Sequence, residues 1–133
     1  MSASIDERSR ELLEAKNFAH VATVARDGTP HVAVVWIDVD GDIVQVNSAE
    51  GRDWPANLRR DPRVTIVVAN HDNPYEYVTI KGEAVEITPE GADEHIDALA
   101  KKYIDKDEYP FRKPGEVRLK IRIRPDKVSL RGG

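Results

Sequence analysis

The chain has 133 residues, 40% hydrophobic and 33% charged, with a formal net charge of −4 and no cysteine. That size and balance predict one soluble globular domain over residues 1–133, with a core large enough to need no cross-links. The missing thiols exclude disulfides, thiolate metal sites and a cysteine nucleophile, and the acidic balance argues against nucleic acid as a partner. No apolar run reaches bilayer length, and residues 2–16 are too charged for a signal peptide. No membrane association is therefore expected, and a cytoplasmic location is.

Ser4-Ile5-Asp6-Glu7 reads as a capping box, with Ser4 as the cap and Glu7 three residues on. Ile5, Ser9, Leu12 and Leu13 fall on one helical face, which predicts an amphipathic helix over residues 5–16. From residue 18 the grammar is that of strands. Residues 18–26 are rich in β-branched and small side chains, and Asp27-Gly28 follows as a hairpin turn. Residues 29–38 predict a second strand closed by Asp40-Gly41, and residues 42–47 a third. Together these three predict an antiparallel meander.

At Asn47-Ser48 the third strand ends, Gly51 makes a turn, and a short helix begins beside Asp53-Trp54-Pro55. Arg52 stands at its mouth and Asp61-Pro62 stops it. A strand feeding a glycine turn and a helix start gathers free N–H groups and the positive end of the helix dipole at one place, a general way to hold an anion. Arg52 adds a fork that matches phosphate oxygens. The same residues also read as a plain surface turn before a helix with a solvated basic face.

Residues 64–70 form a near-continuous apolar strand, His71-Asp72-Asn73-Pro74 a turn, and residues 75–87 a long strand in which Gly82 marks a bulge. Thr88-Pro89 opens another helix, whose buried stripe is Ala92, Ile96, Leu99, Ala100 and Tyr103. Residues 105–114 are a charged loop carrying Tyr109 and Phe111. Residues 117–123 alternate as a half-buried strand, Pro125 breaks it, and residues 127–130 make a last short one. The fold class expected is mainly β: a six- to seven-stranded antiparallel barrel, closed or split, with peripheral helices.

Site chemistry is sparse. His20, His31, His71 and His95 show no spacing that pairs two on a helix face, and nothing requires His31 to join Asp38 or Glu50 around a metal, so none is expected. Ser48 lacks a nucleophile elbow; its hydroxyl either ties down the turn or donates to a ligand phosphate. Glu83 and Glu86, three apart on a strand, should face opposite sides. Trp54, hard to bury in so polar a stretch, reads as a cap over the barrel end, a subunit contact or a wall against a flat ligand ring. Tyr75 and Tyr77 share a strand face, turned either to the core or to a partner subunit and a shared pocket.

Taken in order, residues 21–32, 35–42, 47–52, 57–64 and 73–78 resemble the pyridoxamine 5′-phosphate oxidase-like, FMN-binding split β-barrel superfamily. Within it the likeness is to the branch of small oxidoreductases that use the deazaflavin coenzyme F-420. The resemblance implies a homodimer with a flavin-like cofactor in a groove at the interface. It places the phosphate beside Ser48, Arg52 and Asn57, with Asp53 and Trp54 at the same helix mouth. The ring is bordered by the backbone of Val34, Val35 and Trp36 and of Val46 and Asn47, and Tyr75 and Tyr77 of the other subunit close the pocket. Related members often carry a lysine where this chain has Trp54, which leaves Arg52, the helix N-terminus and Arg59 or Arg60 to hold the phosphate. The function implied is a reductase that passes hydride from reduced coenzyme F-420 to an unsaturated small-molecule substrate. The alternatives are an FMN-binding oxidase or flavin reductase, and a non-catalytic cofactor carrier. No residue is marked as catalytic; solvent, Tyr75, Tyr77 and His31 are the candidate proton sources. Residues 104–115 are expected to shape the acceptor side.

Overall fold

A computed structural model describes residues 2–132. The element order is α1 (Glu7–Glu14), β1 (Ala19–Val24), β2 (Pro30–Val35), β3 (Ile37–Asp40), β4 (Ile43–Ala49), α2 (Asp53–Arg60), β5 (Arg63–Asn70), β6 (Asn73–Thr88), α3 (Ala92–Ile104) and β7 (Arg118–Arg131). All seven strands join one antiparallel sheet in the order β2-β1-β5-β6-β7-β4-β3.

That order forces the sheet to curl. β2 and β3 lie at its two opposite edges, yet Val35 and Ile37 are separated only by Trp36. Laid flat, the outer strands would stand roughly 29 Å apart, at about 4.8 Å per step. Two trans peptide links span at most roughly 7.6 Å. The edges therefore meet at Trp36 and the sheet becomes a split barrel. The expected meander is thus corrected. β1 pairs with β2 and β3 with β4, but the second predicted strand breaks at Trp36 and its halves go to different edges.

The seam is tied down by polar groups. The Tyr103 hydroxyl donates to Asn17 O at 2.6 Å and accepts the Ile37 N–H at 3.2 Å. Lys102 Nζ donates to Leu13 O at 2.7 Å and Ile37 O at 2.6 Å. Burial pushes the Lys102 ammonium down to about 8 and the Tyr103 phenol up to about 12.

Inside the barrel, alternate residues meet: Val21 from β1, Val44 and Val46 from β4, Ile66 and Val68 from β5, Val78 and Ile80 from β6, and Ile121 and Ile123 from β7. α1 supplies Leu12 and Leu13 to this core, as its sequence stripe predicts. Its cap, however, is Asp6, whose carboxylate accepts the Ser9 N–H at 3.2 Å, so the helix starts two residues later than the capping-box reading. α3 likewise begins after Gly91, while the Thr88 hydroxyl accepts the Glu90 N–H in the turn before it.

Two expectations about β6 and β7 meet opposite outcomes. The register shifts at Lys81/Gly82, so the Gly82 bulge is present; a Cβ there would stand 2.1 Å from Arg124 O. Pro125 does not break β7. β4 accompanies β7 only to Ile123, so Pro125 falls where β7 has a strand neighbour on one side only, and there a missing N–H is tolerated. A second register shift between Ala84 and Glu86 also corrects the carboxylates: Glu83 reaches Arg124 at 2.9 Å and Glu86 reaches Arg122 at 3.7 Å, on one face. No helix among the described residues is long and apolar enough to cross a membrane.

Two measurements test these constraints. Gly82→Ala has no room beside Arg124 O, so thermal or urea unfolding should show a loss of roughly 1–3 kcal/mol or more. Arg8 grips Glu76 through two bonds of 2.6 and 2.8 Å, and Asn70 adds a third at 2.9 Å. Arg8 first, then Asn70, holds the Glu76 carboxyl down from 4.5 to about 2. A carboxyl lowered by folding contributes stability above its ordinary range and loses it as pH falls towards the lowered value. The stability difference between the wild type and Arg8→Met should therefore shrink as acid unfolding is followed from about 4.5 to about 2. An unchanged difference would mean that the pair does not anchor α1.

Candidate functional site

At the seam the chain leaves a cavity of ≈ 240 Å³. β2 and its exit supply Val34, Val35 and Trp36; the end of β4 and the approach to α2 supply Asn47 and Arg52. The start of β7 supplies Arg118, and the loop after α3 supplies Tyr109 and Phe111. Phe18, Ile96 and Leu99 complete the lining.

The aromatic wall is a continuous ladder. Phe18 stacks on Tyr103 at 5.8 Å, and Tyr103 stacks on Trp36 at 5.3 Å with planes 6° apart. Trp36 then meets Tyr109 edge-on at 6.0 Å, and Tyr109 meets Phe111 at 5.6 Å. The loop bearing the last two is fixed to α3. The Tyr109 N–H reaches Asp97 at 2.8 Å, and Arg112 reaches Asp93 and Asp97 at 2.7 Å each.

Beneath this wall, between α3 and the sheet, runs a buried polar chain. Asn47 Nδ2 donates to Ala92 O at 3.0 Å, which fixes the amide's orientation and turns Oδ1 towards Arg118. The same Nδ2 lies 3.0 Å from His95 Nδ1, so that ring nitrogen accepts and the proton sits on Nε2, 3.0 Å from Asp38. Arg118 Nε donates to Asn47 Oδ1 at 3.0 Å and Nη1 to Glu116 at 3.2 Å, with the Tyr109 ring 5.0 Å from the guanidinium carbon. Its remaining nitrogen, Nη2, has no protein partner among the described residues.

α2 forms where expected. Its apolar face is Trp54, Pro55 and Leu58, and Pro55 sits in the first turn, where a missing N–H costs nothing. Arg52 is the N-cap residue; the helix has no side-chain cap, and the Arg52 guanidinium is exposed and unpartnered among the described residues. The other two arginines of the segment are engaged. Arg59 pairs with Glu50 at 2.6 Å, and Arg60 donates to Val24 O at 2.7 Å and Asn57 at 3.0 Å.

The residues singled out by sequence thus divide. Val34, Val35, Trp36, Asn47 and Arg52 converge on the cavity. Asp53 is exposed at the helix start. Val46 and Trp54 are in the barrel core, and at 4% exposure Trp54 is not the surface side chain that its polar neighbours suggest. Asn57 is buried, with Nδ2 on Thr23 Oγ1 at 3.1 Å. Ser48 is fully buried, its hydroxyl without a partner among the described residues, and it shares the inward parity of Val44 and Val46. Tyr75 and Tyr77 lie on β6 away from the cavity of their own chain, Tyr77 beside Thr79, Lys81 and Arg131 in an outer groove. His31 lies outside the cavity lining too, and its buried Nδ1 has no partner among the described residues.

Sequence reading missed Arg118, His95, Tyr109 and Phe111 as a group. Arg118 stood out only within two arginine clusters, at 52, 59, 60 and 63 and at 118, 122 and 124, that read as a small basic groove for an acidic small molecule, and His95 only as one of four histidines without a paired spacing.

Residues 5–131 match the sequence profile of the family described as pyridoxamine 5′-phosphate oxidase. A solved structure named an F420 reductase superposes with a TM-score of 0.82 at 30% identity, covering 94% of this chain and 98% of that one. A conserved hypothetical protein from Mycobacterium tuberculosis superposes at 0.74 with 20% identity, covering 98% and 86% of the two chains. General Stress Protein 26 from Bacillus anthracis does so at 0.68 with 17% identity, covering 94% and 92%. The last two share the fold. The resemblance read from the sequence holds in both parts, for the family and for the deazaflavin branch.

The position of Trp54 yields a prediction. A lysine in its place would stand unpaired in the core, so Trp54→Lys should lower the unfolding free energy by roughly 3–5 kcal/mol in a urea titration. A variant as stable as the wild type would show that this side chain reaches water.

Proposed function

The chain belongs to the pyridoxamine 5′-phosphate oxidase family, and from that premise we propose that it is a homodimeric oxidoreductase using reduced coenzyme F-420 against an unsaturated small molecule. The observation that carries this reading is the cavity at the seam. It joins Arg52, whose guanidinium has no partner among the described residues, at a helix N-terminus without a side-chain cap, to a flat aromatic wall and to the backbone of Val34–Trp36, at the outer edge of the sheet. These fit the two ends of a flavin-like molecule, an anionic tail and a planar ring. The 30% likeness to an F420 reductase supports the deazaflavin over other rings.

When bound, the reduced coenzyme supplies the hydride. The chain's own part is to bind, orient and exclude water. Arg52 and the first N–H groups of α2 hold the tail, Val34 to Trp36 border the ring, and Trp36, Tyr109 and Phe111 keep the reacting face dry.

One chain supplies only part of the pocket. A cavity of ≈ 240 Å³ falls below the roughly 300–1,000 Å³ usual for ligand sites. β2 also leaves Val32 59% and Val34 61% exposed, and Tyr75 on β6 is 80% exposed. A second copy seated on this face covers those side chains and brings its own Tyr75 and Tyr77 towards the ring.

Fluorescence titration with coenzyme F-420 and with FMN tests the reading: saturable binding is expected for F-420, and tighter than for FMN. Tighter FMN binding would transfer the protein to the flavin side of the family. Arg52→Ala should weaken F-420 binding roughly 10-fold or more, the value of one charge-assisted hydrogen bond, while size-exclusion chromatography still shows the dimer. An unchanged affinity would place the tail elsewhere.

A further inference from the structure

We propose that Arg118 is the second half of a two-arginine phosphate clamp whose first half is Arg52 and the N-terminus of α2. This rests on reading the cavity as a cofactor site, but it assigns the anion to a residue from the far end of the chain.

Both residues are rooted at the end of β4. Ala49, its last residue, pairs with Arg118 across the β4–β7 ladder, and Ala49 O accepts the Arg52 N–H at 3.4 Å. The two side chains line the same cavity. Their supply of free donors is complementary. The Arg52 guanidinium is exposed and has no partner among the described residues, whereas Arg118 is 96% buried and has only Nη2 uncommitted among them.

The Arg118 residue is deeply buried, yet its Nη2 is not among the buried atoms that lack a partner, so this nitrogen opens onto the cavity. Arg118 is nonetheless held in place by construction: Asp38 orients His95, His95 and Ala92 O orient Asn47, and Asn47 Oδ1 receives Arg118 Nε. The fold thus fixes a cation in a dry place and leaves one nitrogen for an acceptor from outside. Glu116 offsets part of its charge.

Two guanidinium groups and a helix N-terminus present the donor forks and free N–H groups that a phosphate takes, with Glu116 and Asp53 offsetting part of the positive charge. A lone carboxylate would leave one fork idle. The monoester of FMN and the phosphodiester–carboxylate tail of F-420 both offer this chemistry. With Trp54 in the core, β7 supplies the second charge that α2 does not.

The test compares ligands that share a ring and differ in the tail: F-420 against the deazaflavin lacking the phosphate tail, FMN against riboflavin, and inorganic phosphate alone. For the wild type, the tailed member of at least one pair should bind tighter, and inorganic phosphate should compete with it. Arg118→Met should cut that preference roughly 10- to 100-fold while the tailless ring binds as before, which also shows that the variant folds. Arg118→Lys should recover part of the loss. A preference unchanged in Arg118→Met, or no effect of phosphate on any wild-type titration, overturns the clamp. Arg118-dependent phosphate binding without binding of either ring would retire the cofactor reading and leave the clamp standing.

Discussion

One residue of chain between two opposite sheet edges is the constraint on which this structure depends. Trp36 separates β2 from β3, and the sheet must close far enough for a single residue to bridge its edges. Everything polar near that point follows from the closure. A strand that changes edge loses its ladder partners, so the free backbone groups of Ile37 are taken by Tyr103 and Lys102. The aromatic ladder through Tyr103 and Trp36 covers the gap that the split leaves.

The site is a by-product of the same break. Because the barrel is split rather than closed, the backbone at Val34 to Trp36 borders a cavity instead of a neighbouring strand. α3 lies over the adjoining strands and buries Asn47, His95 and Arg118 together. Burial makes each contact in that chain consequential, since a half-satisfied polar network in a low-dielectric place costs more than an apolar one. The cavity is therefore walled by hydrogen-bonded groups on its buried side and open where a second copy is proposed to stand.

α2 shows how one short segment serves two ends. Its apolar face anchors the helix in the barrel through Trp54 and Leu58, while its mouth presents Arg52. A tryptophan in the core fixes the helix axis firmly, at the expense of a basic side chain at that position. In the clamp proposed above, the second charge at the mouth comes from Arg118 on β7, 66 residues beyond Arg52.

Much of the secondary structure was legible from local chemistry. The α1 stripe, the Asp27-Gly28 hairpin, the limits of α2 and the Gly82 bulge all follow from periodicity, turn residues and helix stops, which act between near neighbours. The family resemblance and five cavity residues, including Arg52, were also available. What the sequence could not decide was adjacency. Alternation says that Asn47 and Arg118 point to some face, but not which helix covers it or that they meet. A valine run across Trp36 reads as one strand until the sheet order splits it, and Trp54 reads as exposed until the barrel interior receives it. Composition and period determined which elements form, because those signals are local; strand order, register and closure decided which side chains share a site, because these depend on contacts between residues far apart in the chain.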